Sequence, residues 1–166
     1  MKYYNFDIVF QEIPDETTLA VNVTGCPFRC HNCHSPHLRE DIGEILDEKA
    51  LGTMLERYGS EVTCICIMGG DAFPDEVQRL AGYIRRELGY KSAWYSGAEK
   101  IPECIDRRNF DFIKVGPYRE ELGGLKSEKT NQRLYKVDED GGLVDITYKF
   151  AKQNKPLNAI WKEEGQ

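Results

Sequence analysis

Three cysteines stand close together in the first third of the chain, at Cys26, Cys30 and Cys33. The C-x3-C-x2-C spacing allows three thiolates to cover one face of a cubane iron–sulfur cluster. A [4Fe-4S] cluster normally has four cysteine ligands, so three thiolates leave one iron with an open position, as a ligand-binding or catalytic metal site requires. The motif therefore predicts a [4Fe-4S] cluster on this loop, with one iron available for chemistry.

On the residues alone, other uses of this loop stay open. Zinc accepts three cysteines and one histidine tetrahedrally, and His31, His34 or His37 could supply the fourth ligand. Cys30 to His34 also match C-x-x-C-H, the attachment pattern of c-type haem. Haem attachment needs an export route, which we do not expect for this chain. Ordinary buried or reactive cysteines are the last alternative.

The chain has three further cysteines, at Cys64, Cys66 and Cys104. Cys64 and Cys66 are two residues apart in an apolar run, so they face the same side of a strand. Because cysteine is among the most buried residue types, we expect these two to be inert core thiols rather than a fourth cluster ligand. Cys104 is expected to have a structural or incidental role.

A second cluster of small and acidic residues follows the apolar run, at Gly69, Gly70 and Asp71. Glycines allow the backbone to approach a ligand closely, and backbone N–H and C=O groups can then pair with it. Asp71 can accept a hydrogen bond from an ammonium group. The three residues predict a binding turn, and an ordinary strand-to-helix turn is the alternative.

Polar residues at three further places are candidates for contact with a bound cofactor. Asn32 and His34 flank Cys33, and their backbone lies near the cluster if the loop wraps around it. The Ser96 hydroxyl follows another predicted strand and can bind a carboxylate or a ribose. Exposed polar residues and a simple turn are the alternatives. Lys114 and Tyr118, and the polar cluster at Asn131, Gln132 and Arg133, are also within possible reach of the site.

These residues must be positioned by a sheet, because hydrophobic periods of two and of 3.6 residues alternate along the chain. Strand, helix, strand, helix is the pattern of right-handed βαβ units. The predicted strands are 3–10, 19–23, 62–68, 92–95 and 110–115, with a hairpin of 133–137 and 143–148, and the predicted helices are 48–58, 75–88 and a short one at 101–107.

The strands are too few for a closed eight-stranded barrel. The sequence therefore predicts an α/β fold, a partial (open) β/α barrel with a C-terminal β-hairpin. We expect one domain over residues 1–166, with a core at about 7–137 and the hairpin and C-terminal extension at 138–166. In such folds the site lies at the carboxyl ends of the strands, where the cysteine loop, Asp71 and Ser96 all fall.

Composition excludes some classes of function. The 28 acidic against 22 basic residues give a net charge of −6, which disfavours nucleic-acid binding since that depends on clustered Lys and Arg. No apolar run approaches the ~20 residues of a membrane helix, and the N-terminus lacks the order of a signal peptide. We therefore expect a cytoplasmic protein without membrane contact, in which structural disulfides are uncommon.

The chain resembles the radical S-adenosylmethionine superfamily, whose hallmark is C-x3-C-x2-C after the first strand of the barrel. Within it, the chain is similar to the activating proteins of anaerobic ribonucleoside-triphosphate reductase, which are small activases of glycyl-radical enzymes. The resemblance covers about residues 7–137. The matching segments are the Asp-Ile-Val at 7–9, the cysteine loop, and residues 68–71, 94–97, 114–118 and 130–133.

The resemblance implies a mechanism, a cofactor and partners. S-adenosylmethionine would complete the coordination of the fourth iron, and one electron from the cluster would split it into methionine and a 5′-deoxyadenosyl radical. That radical would take a hydrogen from a glycine of the reductase catalytic subunit. A flavodoxin- or ferredoxin-like protein would supply the electron. Two places depart from the family pattern: Ala72 replaces a common proline, and residues 11–16 lack a Gly-Pro-Gly-x-Arg element.

Two other functions remain as alternatives. One is a radical enzyme acting on a different glycyl-radical enzyme or on a small molecule. The other belongs to a different class, a zinc or iron–sulfur module for protein interaction or electron transfer.

Overall fold

A computed structural model describes residues 1–152 of the protein. These residues form eight strands, three α-helices and three short 3₁₀ turns. The strands are β1 (Lys2–Val9), β2 (Thr18–Val23), β3 (Glu44–Ile45), β4 (Cys64–Met68), β5 (Lys91–Tyr95), β6 (Phe112–Val115), β7 (Arg133–Val137) and β8 (Leu143–Asp145), and the helices are α1 (Glu48–Tyr58), α2 (Pro74–Arg86) and α3 (Tyr148–Lys152).

All eight strands belong to one sheet with the order β3-β1-β2-β4-β5-β6-β7-β8. Strands β2, β4, β5 and β6 are parallel neighbours, while β1, β7 and β8 add antiparallel strands at the two sides. The predicted fold class is confirmed: this is a mixed α/β open sheet with a parallel core, consistent with a partial barrel of the radical S-adenosylmethionine type.

Helices α1 and α2 cover one face of the sheet. Helix α1 begins at Asp47, whose carboxylate accepts a hydrogen bond from the Ala50 N–H at 2.9 Å, and α2 begins with Pro74, which has no N–H to leave unpaired. Their apolar sides pack against alternate residues of the central strands. This core layer includes Leu19, Val21, Leu51, Met54, Ile65, Ile67, Leu80, Ile84, Trp94 and Ile113.

The opposite face of the sheet is filled at one end only. Cys64, Cys66 and Leu134 point to this side and are fully buried. Three residues from outside the parallel core pack on them, namely Ile13 before β2, Ile146 after β8 and Phe150 on α3. We call Ile13, Ile146 and Phe150 the plug. It occupies the end of this face where the parallel strands begin and leaves the carboxyl ends of the strands open.

Most predicted elements are present, and two predictions were wrong. Residues 101–107 do not form a helix; the chain makes turns there and a 3₁₀ turn at Arg107–Asn109. Asp106 explains the difference, because its carboxylate accepts from the Arg108 N–H and starts the 3₁₀ turn instead. The second hairpin strand ends at Asp145 rather than at residue 148, because Asp145 accepts from the Thr147 N–H and α3 follows.

Among residues 1–152, no helix is long and apolar enough to cross a membrane. The sequence-based expectations for the last 14 positions, the end of the C-terminal extension, lie outside the residues that the structure describes.

Candidate metal centre and ligand cavity

The cysteine loop leaves the carboxyl end of β2 and is closed by backbone hydrogen bonds. Gly25 has a φ of +75°, which favours glycine. The Gly25 N–H donates to Glu40 O at 3.2 Å, and the Cys26 N–H donates to Leu38 O at 2.9 Å. These two bonds join the beginning and the end of the loop. The thiols are therefore carried by a backbone that is fixed at its base.

The three loop cysteines are free thiols, each partly exposed, and all three line one cavity of about 310 Å³. Burial raises the pKa of the Cys26 thiol, and negative charge on Asp71, Cys30 and Cys33 raises it further. Accessible thiols that repel one another as thiolates are suited to a positive iron–sulfur core, which removes this repulsion. The donor set fits a [4Fe-4S] cluster.

Among residues 1–152, no three His, Cys, Asp or Glu side chains converge on a position for a single metal ion. In a cubane each thiolate binds a different iron. The three loop sulfurs therefore need to surround a cluster and do not need to meet at one point.

Arg39 fixes the middle of the cysteine loop, a role that was not predicted from the sequence. Its Nη2 donates to Cys30 O at 2.9 Å, and the side chain lines the cavity. Its Nε is buried without a hydrogen-bond partner among the described residues. Nothing in the local sequence distinguishes Arg39 from Arg29, because the contact depends on how the loop folds back.

The glycines after β4 are required by the backbone. Gly69 and Gly70 have φ values of +99° and +85°, and a Cβ on Gly70 would lie 2.6 Å from Val77 Cγ2. The Gly69 N–H donates to Tyr95 O and its carbonyl accepts from Trp94 Nε1, both at 2.8 Å. Gly69 lines the cavity, whereas Gly70 is buried behind it and is not part of the lining.

Asp71 and Ser96 form a hydrogen-bonded pair in the cavity wall. Ser96 Oγ donates to Asp71 Oδ1 at 2.5 Å, and the Gly97 N–H donates to Asp71 Oδ2 at 3.3 Å. Ser96 Oγ in turn accepts from the Ala98 N–H at 3.0 Å. Both side chains were expected to contact a cofactor directly. The structure gives Ser96 an additional role, since it orients the Asp71 carboxylate.

The structure separates the two residues that flank Cys33. His34 lines the cavity, and its ring lies edge-on to Tyr118 with a centroid distance of 4.7 Å. Asn32 has a φ of +50°, is exposed, and donates from Nδ2 to Glu120 at 2.6 Å. Asn32 does not line the cavity, so a contact between its side chain and a cofactor has no support in this arrangement and stays a prediction.

The floor of the cavity is one row of side chains across four strands. Asn22, Met68, Tyr95 and Lys114 are direct neighbours in the sheet register and all line the cavity. Lys114 is 8% exposed. Its Nζ donates to Gly116 O at 2.7 Å and to Ser96 O at 3.4 Å, which ties the end of β5 to the end of β6. Burial lowers the pKa of Lys114 to about 8.

The two strand cysteines are located as expected. Cys64 and Cys66 are fully buried next to the plug, and Cys66 Sγ lies 3.4 Å from Met68 Sδ. Burial is the main cause that raises the pKa of both thiols well above its ordinary value. Cys104 is exposed. The expectation that the two strand cysteines are core thiols is confirmed.

A family model describing a 4Fe-4S single cluster domain matches residues 17–158. The match covers most of the chain and includes the cysteine loop and every parallel strand. The protein belongs to the family of 4Fe-4S single cluster domains. This is a radical S-adenosylmethionine-type family that is typical of activases of glycyl-radical enzymes. Neither a curated protein nor a solved structure matches the chain.

Family membership supports the [4Fe-4S] cluster as the cofactor of this domain and implies an enzyme. It agrees with the donor set in the cavity, where Cys26, Cys30 and Cys33 would hold three of the four irons. The family match ends at this level and does not identify the substrate of the chemistry.

Proposed function

We propose that this protein reductively cleaves S-adenosylmethionine and uses the resulting 5′-deoxyadenosyl radical to form a glycyl radical on the catalytic subunit of anaerobic ribonucleoside-triphosphate reductase. One observation carries the proposal. The three loop thiols and the hydrogen-bonded pair of Asp71 and Ser96 line the same cavity at the carboxyl ends of the strands.

The residues divide into two groups with different tasks. Cys26, Cys30 and Cys33 would hold the cluster, which when reduced supplies one electron to the sulfonium, so that the carbon–sulfur bond breaks into methionine and the 5′-deoxyadenosyl radical. Arg39 holds the loop backbone at the Cys30 carbonyl. Asp71 supplies a negative charge for the ammonium group of the methionine part.

Asp71 keeps the capacity to bind this ammonium group. Each carboxylate oxygen has two lone pairs, and the bonds from Ser96 and Gly97 take one on each oxygen. The Gly69 carbonyl likewise keeps one lone pair after accepting from Trp94. Two acceptors on the turn after β4 are therefore preorganised before the cofactor arrives.

The size of the cavity supports a substrate from another protein. Its volume of about 310 Å³ is at the lower end of the range for small-ligand sites, and the plug fills the rest of this sheet face. A bound S-adenosylmethionine leaves little space for a second small molecule inside the chain. A flexible loop with a glycine needs little space and can enter from the open side.

The position of the cysteine loop supports electron delivery by a partner protein. Arg29, His31 and Asn32 of the loop are exposed, so a flavodoxin- or ferredoxin-like donor can reach the outside of the loop while the cofactor is bound inside. We propose such a donor as the physiological source of the electron.

The test is to mix the reconstituted protein with the reductase subunit, S-adenosylmethionine and dithionite without oxygen, and to record electron paramagnetic resonance spectra. A glycyl-radical signal that depends on all four components is expected, and a Cys30→Ala variant is the control. A complete mixture that gives no signal would contradict the proposal. Formation of 5′-deoxyadenosine that continues at full rate without the reductase would indicate a small-molecule substrate.

A further inference from the structure

A polar side chain without a partner among residues 1–152 faces the cavity beside β7, four positions from β2 and the cysteine loop in the sheet order. This is Gln132, which precedes β7, is 6% exposed and lines the cavity. Its backbone groups are bonded, but its side-chain amide makes no hydrogen bond to any of residues 1–152. The amide atoms themselves are not sealed from solvent, so the amide meets the open space of the cavity, where a ligand or solvent completes its hydrogen bonds.

The backbone around Gln132 holds this side chain in place. The Gln132 N–H donates to Thr130 Oγ1 at 3.1 Å, and Arg133 Nη1 donates to both Thr130 O and Gln132 O at 2.8 Å. Gly116 approaches from β6 so closely that a Cβ there would lie 2.9 Å from Gln132 Cα. The direction of the Gln132 side chain is thus set by its neighbours before any ligand binds.

Lys114, at the β6 end of the cavity floor, faces the same cavity. It is paired in register with Leu134, and Gln132 is two residues from Leu134, so both side chains point to the same face of the sheet. An ammonium group has three donors, and the carbonyls of Gly116 and Ser96 take two of them. One donor of Lys114 therefore remains for a ligand in the cavity that Gln132 also lines.

We propose that Gln132, with Lys114 beside it, binds the main chain of the peptide segment that carries the target glycine. This inference rests on the proposed function. Glycine has no side chain, so a site that selects it has to bind the adjacent peptide groups. A carboxamide has both an acceptor and donors, which match the N–H and C=O of one peptide unit, and the ammonium group can donate to a second carbonyl.

The expected cofactor contacts lie elsewhere in the sheet. Asp71 and Gly69 follow β4, and the cysteine loop follows β2. Gln132 directly precedes β7, which lies two strands beyond β5. A substrate on the β6–β7 side and a cofactor on the β2–β4 side would place the reacting groups between the two walls. Gln132 is therefore a specificity-determining residue for the protein substrate.

The test compares Gln132→Met, which keeps the length and removes the amide, with Gln78→Met as a matched control. Gln78 is on α2, outside the cavity. Three quantities are measured: the KM for the reductase subunit from the rate of glycyl-radical formation, the Kd for S-adenosylmethionine, and the 5′-deoxyadenosine formed without the reductase. Gln132→Met is expected to raise the KM about tenfold and to leave the other two unchanged, and Gln78→Met to change none.

An unchanged KM in a folded Gln132→Met protein would overturn the inference, and so would a weaker Kd for S-adenosylmethionine with an unchanged KM, which would assign Gln132 to the cofactor. If Gln132→Met does not fold, the isosteric Gln132→Glu, which keeps acceptors and loses the donors, replaces it with the same expected increase in KM. Failure of the wild-type protein to form the radical contradicts the proposed function itself. A radical formed equally well by both proteins contradicts only the role of Gln132.

Discussion

Two groups of cysteines lie on one side of the same sheet, and their surroundings are opposite. The loop cysteines Cys26, Cys30 and Cys33 are partly exposed, line a cavity, and are carried by a loop that is tied at its base and by Arg39. The strand cysteines Cys64 and Cys66 are completely buried beside the plug, and burial raises their pKa.

This comparison shows that position along the strand decides what a thiol can do. At the beginning of the strands, Ile13, Ile146 and Phe150 cover the sheet and exclude ligands. At the carboxyl ends, the glycines and the side chains of the cavity floor leave open space. Polar groups such as Asp71 and Lys114 face that space. The same residue type packs in the core at one end and is accessible to a cluster at the other.

The largest difference between the two groups is expected for cluster content. Cys30→Ala removes one of three thiolate ligands, so the reconstituted protein should lose nearly all of its iron and sulfide. Cys66→Ala should keep both at the wild-type level, because a buried thiol in the strand does not reach the cavity. Iron and sulfide analysis after anaerobic reconstitution measures this, and equal losses in both variants would remove the distinction.

A large effect is also expected at Asp71, on cofactor binding rather than on the cluster. Asp71→Asn removes a charge-assisted hydrogen bond, which contributes about 1.5–3 kcal/mol, so the Kd for S-adenosylmethionine should rise roughly 10–100-fold. Iron content should not change. Asp75→Asn, in the first turn of α2 and outside the cavity lining, is the matched control. Equal affinities of Asp71→Asn and wild type would exclude Asp71 from the cofactor site.

Lys114 allows a test of the cavity floor through the pH dependence of stability. Burial lowers its pKa to about 8 from 10.5, so between these values the unfolded state binds more protons than the folded state, and this group makes stability rise with pH. Lys114→Met removes that contribution. In the cluster-free protein, the stability of Lys114→Met relative to wild type should therefore fall by about 2 kcal/mol from pH 8 to pH 9.5.

Urea unfolding of both proteins at the two pH values measures this difference. Titration of Cys26, whose raised pKa makes stability fall at high pH, is present in both proteins and largely cancels in the comparison. A difference between the proteins that does not change with pH would mean that Lys114 is solvated in the folded state.

The smallest expected effect concerns the strand cysteines themselves. Cys66→Ala leaves a small void in the apolar layer next to the plug, and we expect the free energy of unfolding to fall by about 1 kcal/mol. Chemical denaturation of the cluster-free protein measures this. A Cys66→Ala protein as stable as wild type but deficient in iron would show that this thiol serves the metal centre instead of the core.

The sequence was sufficient for features that depend on residue type and local spacing. The cysteine motif, the glycine turn before Asp71 and the strand-to-helix alternation were all visible, and α1 was predicted with the bounds that the structure has. The contacts of Arg39 with Cys30 and of Ser96 with Asp71 were not visible, since each joins residues from separate turns. The plug was missed for the same reason.

The wrong predictions have local causes of a similar kind. Pro102 is compatible with the start of a helix at residues 101–107. The Asp106 carboxylate instead accepts a hydrogen bond from the Arg108 N–H, and Ile105 is the one buried residue of this segment. The hairpin strand that was predicted to run to residue 148 is ended by Asp145 in the same way. In both segments a short polar side chain competes with the regular backbone pattern.

The most direct test of the central claim is product analysis without any partner protein. The reconstituted protein is incubated anaerobically with S-adenosylmethionine and dithionite, and 5′-deoxyadenosine and methionine are quantified by chromatography beside a Cys30→Ala control. We predict equal amounts of the two products from the wild-type protein and none above background from the control. A wild-type protein that contains its cluster and forms neither product, or that contains zinc without iron and sulfide, would contradict the account.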